Sequence, residues 1–191
     1  MTNLADVALW LSRPAEEVAP QLLGCTLVRK VDGVEYRALI VETEAYAPGD
    51  PACHAYRKKS DRNAVMFGKA GSVYVYLIYG IYHCLNIVTD LEGVASAVLI
   101  RAVALDQIPP WVQSSTSHRL GAGPGKLCRI LKIDRSLNGV SLDPESDLWL
   151  EIEPNSLEVI QTTRIGLTKG IDIPWRWYIT GHPEVSVVAK G

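Results

Sequence analysis

The segment from Ser72 to Thr89, S-V-Y-V-Y-L-I-Y-G-I-Y-H-C-L-N-I-V-T, constrains the fold more than any other part of the chain. Aromatic and aliphatic residues on both sides of a glycine are typical of two strands joined by a tight turn. We therefore predict a β-hairpin that turns at Tyr79-Gly80.

Four tyrosines surround this turn and take different positions in the predicted hairpin. Because side chains alternate along a strand, Tyr74 and Tyr76 would share one face of the sheet. Tyr79 and Ile81 would project from the turn, where no core covers them. Proteins that unstack DNA insert such side chains as wedges between base steps, and enzymes that work on a base take it out of the stack. An ordinary core hairpin is the simpler interpretation for Tyr74, and both interpretations stay open for Tyr79.

A second informative segment, L-I-V-E-T-E-A-Y at 39–46, has two carboxylates in a strand-like context. Alternation places Glu42, Glu44 and Tyr46 on one face. Like charges this close repel unless they are solvated, paired or used in chemistry. A carboxylate beside an aromatic ring suits general-base work on water, and a solvated strand face is the alternative.

Length and cysteine usage narrow the class of protein. A chain of 191 residues can bury a substantial core, and we expect one domain over 1–191. The N-terminus does not read as a signal peptide and no apolar run is long enough to span a bilayer, so we expect a soluble protein of the cytoplasm or nucleoid without membrane contact. The four cysteines are scattered along the chain and lack the C-x-x-C spacing of metal sites. This spacing argues against a zinc ribbon and against a disulfide framework. The four are Cys25, Cys53, Cys84 and Cys128.

The formal net charge of −2 does not indicate a strong general affinity for DNA. Basic residues are nevertheless clustered, and such a patch can follow phosphates and make binding depend on salt. A solvated basic loop is the alternative. The two clusters are Arg57, Lys58, Lys59, Arg62 and Lys69, and then Lys126, Arg129 and Lys132.

The rest of the chain predicts a mixed fold. A helix is expected near 13–23, where Pro14 suits its start and Gly24 its end, and a short helix after 123–125. Residues 107–121, with two prolines and several serines, predict a mobile loop. Strands are expected near 26–30, 36–43, 73–78, 81–89, 97–104, 164–168, 176–180 and 185–188.

A series of short motifs covers almost the whole chain. Besides the tyrosine hairpin they are L-L-G-C-T-L-V-R at 22–29, E-T-E-A-Y at 42–46, D-P-A-C-H-A-Y-R at 50–57, R-N-A-V-M-F-G at 62–68, V-L-I-R-A at 98–102, G-P-G-K-L-C at 123–128, R-I-G at 164–166 and R-W-Y at 176–178. Any one of them is unspecific. In this order, however, they resemble the alkyladenine (3-methyladenine) DNA glycosylases.

The resemblance implies an α+β domain with a curved, mostly antiparallel sheet flanked by helices, from which the hairpin protrudes. It implies a monofunctional DNA glycosylase of base excision repair. Such an enzyme flips a damaged purine out of double-stranded DNA, hydrolyses the N-glycosidic bond and leaves an abasic site. The substrates would be 3-methyladenine, hypoxanthine and ethenoadenine. No cofactor or metal is implied, and we expect a monomer.

The resemblance also implies roles at the reacting bond. Glu44 aligns with the general base that activates a water. Arg101 and the backbone carbonyl of Ile165 align with the groups that hold this water beside it. A carboxylate both activates water and offsets the charge of an oxocarbenium-like state. Since no nucleophilic lysine is needed, the base would be removed without strand cleavage.

The base pocket is assigned in the same way. Tyr46, His54 and Tyr76 align with the residues that sandwich the flipped base, where stacking and cation–π attraction favour electron-poor, alkylated rings. Asn86 aligns with the asparagine that excludes the exocyclic amine of guanine. Without the resemblance, His54 would be a structural histidine and Asn86 a hydrogen-bonded strand residue.

The remaining aligned residues would face the DNA. Tyr79 and Ile81 align with the tip that fills the gap left by the flipped nucleotide, which offsets part of the unstacking cost. Arg62 and Lys126 align with contacts to phosphates.

The chain departs from the family pattern in three places. The first is the stretch after Arg101, which lacks part of a basic segment common in the family, so that DNA would be bound less tightly. Lys58, Ser60 and Asp61 stand where the family usually has glycine, threonine and often proline, so the phosphate-facing loop would have another shape. Trp177 replaces a phenylalanine.

Two other functions stay open: a lesion-binding module that has lost its chemistry, and a protein of this fold that binds a small metabolite.

Overall fold

An antiparallel sheet of eight strands forms the centre of the computed structural model, which describes residues 4–113, 119–153 and 156–189. The helices are α1 (Leu4–Leu11), α2 (Ala15–Gln21) and α3 (Pro124–Ile130). The strands are β1 (Thr26–Val31), β2 (Val34–Tyr46), β3 (Val73–Ile78), β4 (Tyr82–Val88), β5 (Ala97–Leu105), β6 (Leu148–Glu151), β7 (Val159–Thr162) and β8 (Arg176–Ile179).

The long strand β2 organises this sheet. The strands follow the order β3-β4-β5-β2-β1-β6, and β8 also pairs with β2 and carries β7. Along one edge of β2, β1 pairs with residues 34–39 and β8 with residues 42–44. The sheet therefore divides at the middle of β2 and curls, which confirms the predicted α+β fold with a curved antiparallel sheet.

The register between β2 and β5 is interrupted on both sides of Glu42. Glu42 pairs with Ala102, and the next residue, Thr43, pairs with Ile100, so that the register skips Arg101. Bulges of this kind bend a strand and redirect a side chain, and they are frequent beside active sites.

The predicted hairpin is confirmed. Tyr79 and Gly80 have positive φ values of 53° and 73°, and the amide of Ile81 donates to the carbonyl of Ile78 at 3.2 Å. Positive φ at both central positions is what a type I′ turn requires. The tip is uncovered, since Tyr79 is 82% and Ile81 68% exposed.

The main core lies between the sheet and the helices. It combines Leu11 of α1, Val18 of α2 and Leu127 of α3 with buried aliphatic residues of β1 to β6. A second, smaller cluster contains Met66 and Tyr74. Among the helices of the described segments, none has the length and apolar character needed to cross a bilayer.

Two predicted strands, 164–168 and 185–188, are wrong, because both segments are irregular. One backbone amide in each segment bonds to a side chain of β2 instead of to a neighbouring strand. The amides of Ile165 and Ser186 each donate to a carboxylate of that strand.

The other predicted elements have mixed outcomes. The helix near 13–23 is the shorter α2, and the helix after 123–125 is α3. The loop prediction for 107–121 falls partly on 114–118, outside the described residues. The six remaining strand predictions correspond to β1–β5 and β8, whereas α1, β6 and β7 carried no prediction.

Gly121 allows the chain before α3 to pass close to β5. A Cβ atom at this position would lie 2.0 Å from the carbonyl oxygen of Val103, which is backbone and cannot rotate away. We expect Gly121→Ala to lower the free energy of unfolding by about 2–3 kcal/mol, as overpacked cores do. Gly33, in the β1–β2 turn, has φ +81° and open space, so Gly33→Ala should cost only about 1 kcal/mol. Equal stability of the two variants in urea denaturation would contradict the close approach.

Candidate active site

A cavity of about 240 Å³ lies where β2 to β5 meet the segments 52–54 and 165–167. This volume is below the range of roughly 300–1,000 Å³ for pockets that enclose drug-sized ligands, so the cavity suits one planar ring system. The predicted site residues that line it are Tyr46, His54, Tyr76, Asn86, Arg101 and Ile165, together with Arg62 at its rim.

Glu44 is fully buried, and three hydrogen-bond donors converge on its carboxylate. The backbone N–H of Ile165 donates to Oε1 at 2.8 Å, and Arg101 Nη1 lies 3.2 Å from the same oxygen. The hydroxyl of Tyr46 donates to Oε2 at 2.8 Å. Since these three partners line the cavity, the carboxylate lies directly behind its wall.

Glu42 is also fully buried and is held by a separate set of donors. Arg176 Nη1 lies 2.7 Å and Arg101 Nε 3.3 Å from its Oε1, and the amide of Ser186 donates to its Oε2 at 2.7 Å. Arg101 thus bridges Glu42 and Glu44. The two carboxylates are tolerated close together because each is paired with a guanidinium group.

The hydroxyl of Tyr46 stays protonated. Burial, and after it the neighbouring Glu44 carboxylate, raise the pKa of Tyr46 well above its ordinary value of 10.0. A phenol that keeps its proton remains a donor to the carboxylate throughout the physiological pH range.

Aromatic rings form one side of the cavity. The rings of His54 and Tyr76 meet edge to face, with centroids 4.5 Å apart, and Tyr74 lies 5.3 Å from Tyr76. Tyr74 OH is 2.9 Å from His54 Nδ1 and fixes this ring. Asn86 Nδ2 donates to the carbonyl of Tyr74 at 3.1 Å, which orients the amide at the cavity wall.

The residues assigned to DNA contacts are spread over the surface. Tyr79 and Ile81 stand at the hairpin tip, beyond Ile78, which lines the cavity. Arg62 is exposed at the rim. Lys126 lies apart from the cavity on α3, where its exposed ammonium group donates to the carbonyl of Arg119 at 3.3 Å.

Sequence reasoning assigned no role to a buried ion pair behind the cavity, Asp50 with Arg164. The two residues are 114 positions apart, so their partnership has no local signature. Both belong to motifs of the family resemblance, D-P-A-C-H-A-Y-R and R-I-G, and this is the only signal in the sequence that could have drawn attention to them.

Enzymes that act on a base in DNA must extrude it, hold it in a fitted pocket and fill the gap that it leaves. The cavity is sized for one ring system, and the nearby tip carries uncovered apolar side chains. The cavity and the tip are thus the features that a base-flipping enzyme requires.

Comparison with known proteins identifies the family within this class. A sequence model of methylpurine-DNA glycosylase matches residues 9–183. A protein of Synechococcus sp. (strain JA-3-3Ab) is 57% identical over 93% of this chain and 96% of its own length. A protein of Trichodesmium erythraeum is 55% identical over 93% of this chain and 94% of its own length. One of Methanoculleus marisnigri is 44% identical over 94% of this chain and 97% of its own length. All three carry the name "Putative 3-methyladenine DNA glycosylase".

The chain belongs to the methylpurine-DNA glycosylase family. It is accordingly a DNA glycosylase for alkylated bases, a hydrolase of N-glycosyl bonds that serves base excision repair. DNA is its substrate.

His54 should be neutral in the folded protein. The His54 residue remains partly exposed, but desolvation among the cavity residues, and then the charge of Arg62, lower its pKa below the ordinary value of 6.5. The unfolded chain therefore binds more protons than the folded one at pH values between the two pKa values. The stability linked to His54 is complete above pH 6.5 and is lost as the pH falls through the folded-state pKa.

An NMR titration of the ring should give a midpoint below pH 6.5. The free energy of unfolding should fall with acid less steeply in His54→Gln than in the wild type. A midpoint at or above 6.5 would contradict the desolvation argument.

Proposed function

We propose that this glycosylase hydrolyses the N-glycosidic bond of alkylated and deaminated purines with a water that Glu44 activates. The observation that carries the proposal is the convergence of Arg101, the Tyr46 hydroxyl and the Ile165 amide on an enclosed carboxylate behind the cavity wall. Such an array fixes a general base before the substrate arrives, so no reorganisation is needed during the reaction.

The reaction needs one water and no covalent intermediate. As the bond from C1′ to the base nitrogen breaks, the sugar acquires oxocarbenium character, and the nearby carboxylate of Glu44 offsets its positive charge. The water oxygen bonds to C1′, its proton passes to Glu44, and the base departs with the electrons of the broken bond. An N-alkylated base is cationic before cleavage and leaves as a neutral molecule, whereas hypoxanthine or ethenoadenine takes up one proton from solvent to become the free base. Arg101 and the carbonyl of Ile165 hold the water in line. The products are the free base and an abasic site in an intact strand.

The carboxylate of Glu44 keeps an acceptor position that can serve this water. An ionised carboxylate offers about four acceptor positions, two on each oxygen. Among the described residues, three donors occupy positions on Glu44: two at Oε1 and one at Oε2. The acceptor position left at Oε2, beside the Tyr46 hydroxyl, suits a water that enters from the cavity.

The cavity supports purine recognition. Tyr46, His54 and Tyr76 stack against the flipped base, and electron-poor alkylated rings gain most from such contacts. Asn86, anchored to the backbone of Tyr74, crowds the exocyclic amine of guanine and so excludes the normal base. We expect 3-methyladenine as the leading substrate, with hypoxanthine and ethenoadenine accepted as well.

The hairpin and the basic residues engage the duplex. Tyr79 and Ile81 enter the gap left by the extruded nucleotide, and their exposure supports this role. Arg62 and Lys126 contact phosphates. We expect the protein to act as a monomer.

Replacing Glu44 with glutamine should separate chemistry from binding. The amide cannot accept the proton of the water, so we expect Glu44→Gln to lower the rate of base release by roughly 10²- to 10⁴-fold, the range for a lost general base. Release from a duplex with one hypoxanthine and from methylated DNA measures the rate under single-turnover conditions. Glu92→Gln, an exposed change outside the site, is the control and should match the wild type. Turnover retained by Glu44→Gln would remove the general-base role.

Replacing Tyr79 with serine should weaken the flipped complex. Loss of the inserted ring is expected to cost about 1–3 kcal/mol of binding free energy, the range for stacking of one aromatic on a base. Fluorescence anisotropy with a lesion duplex measures the Kd. Leu91→Ser removes another exposed apolar side chain, 64% exposed, and should leave the Kd unchanged. An unchanged Kd for Tyr79→Ser would show that the tip does not intercalate.

A further inference from the structure

The feature that the proposed mechanism leaves unused is the ion pair of Asp50 and Arg164 behind the cavity. Both side chains are fully enclosed. Arg164 Nη2 lies 2.9 Å from Asp50 Oδ1, and Nη1 contacts Oδ2, so the guanidinium and the carboxylate meet through two parallel contacts. Fork-to-fork pairs of this type fix orientation as well as distance.

The guanidinium of Arg164 also holds the end of β2. Its Nη1 donates to the carbonyl of Ala45 at 2.9 Å, and its Cζ lies 4.7 Å from the centre of the Tyr46 ring. Gly170 closes the other side, where a Cβ atom would come within 3.1 Å of both Arg164 and Asp50. The pair therefore has little freedom to shift.

Two of the three donors to Glu44 are attached to this arrangement. Ile165, which donates its amide at 2.8 Å, follows Arg164 directly in the chain. The ring of Tyr46, whose hydroxyl donates at 2.8 Å, rests against the guanidinium. Since Tyr46 and Ile165 line the cavity, Arg164 stands behind both of them.

Asp50 fixes the segment that carries the pocket histidine. Its Oδ1 accepts the amide of Ala52 at 3.0 Å, and its carbonyl accepts the amide of Cys53 at 2.9 Å. His54 follows immediately. One ion pair thus ties the His54 segment to the Ile165 segment and to β2.

We propose that Arg164 and Asp50 are positioning residues, which hold the Ile165 amide and the Tyr46 hydroxyl on Glu44 and keep His54 at the cavity. The inference rests on the proposed role of Glu44. It assigns the pair a function in the rate of base release that is separate from its contribution to folding.

Stability and positioning can be separated by removing one charge or both. Removing one partner leaves an uncompensated buried charge, whereas replacing both partners by neutral groups is often tolerated. The double variant Asp50→Asn/Arg164→Met should therefore recover much of the melting temperature lost in either single variant. It cannot recover the fork that fixes Ile165 and Tyr46.

The experiment compares Asp50→Asn, Arg164→Met and the double variant with the wild type. Three quantities are measured: the melting temperature, the single-turnover rate constant for hypoxanthine release with its amplitude, and the Kd for an abasic-site duplex. We expect the rate constant of the double variant to stay roughly 10- to 100-fold below the wild type, as small misplacements of catalytic groups cause, while its melting temperature and amplitude recover. The Kd should change far less, because the hairpin tip and the basic residues are elsewhere.

A rate constant that recovers together with the melting temperature would overturn the proposal and leave the pair a purely structural role. A loss of affinity as large as the loss of rate would overturn it too.

Arg37→Met/Glu151→Gln removes a partly exposed ion pair at the other end of β2 and serves as the control, with an expected wild-type rate. Glu44→Gln in the same assay tests the general base separately, since its failure to lose activity would contradict the proposed mechanism whatever the pair does.

Discussion

Neutralisation of buried charge is the constraint on which the structure of the site depends. Taking an ion out of water costs several kcal/mol even after relaxation, unless a partner and further hydrogen bonds compensate it. Three carboxylates and three guanidinium groups meet this requirement inside the protein. They are Glu42, Glu44 and Asp50, with Arg101, Arg164 and Arg176.

This constraint also explains why irregular segments pack against β2. The segments that contain Ile165 and Ser186 give backbone amides to the carboxylates of β2, so they need no neighbouring strand to satisfy these groups. The bulge at Arg101 belongs to the same arrangement, since it lies where one guanidinium reaches both Glu42 and Glu44. A rigid sheet thus positions the carboxylates, and the carboxylates in turn order the loops that complete the site.

The sequence predicts those parts that depend on local pattern. Alternation and one glycine predict the hairpin, and the spacing of Glu42 and Glu44 predicts that they share a face. The pair of Asp50 and Arg164 has no such pattern, because its partners lie 114 positions apart and meet only in the folded chain. The same reason accounts for the wrong strands at 164–168 and 185–188: their β-branched residues favour strands locally, and the buried carboxylates override this preference. The family resemblance supplied the site residues that pattern alone left open.

The most direct test of the central claim, that Glu44 and its donors activate a water, is a high-resolution crystal structure of the protein bound to an abasic-site duplex. The account predicts a water within hydrogen-bonding distance of Glu44, Arg101 and the carbonyl of Ile165, on the line to C1′. It also predicts that the Ile165 amide and the Tyr46 hydroxyl stay on the carboxylate. A sugar covalently attached to the protein, or a Glu44 carboxylate turned away from C1′ with no water between them, would contradict it.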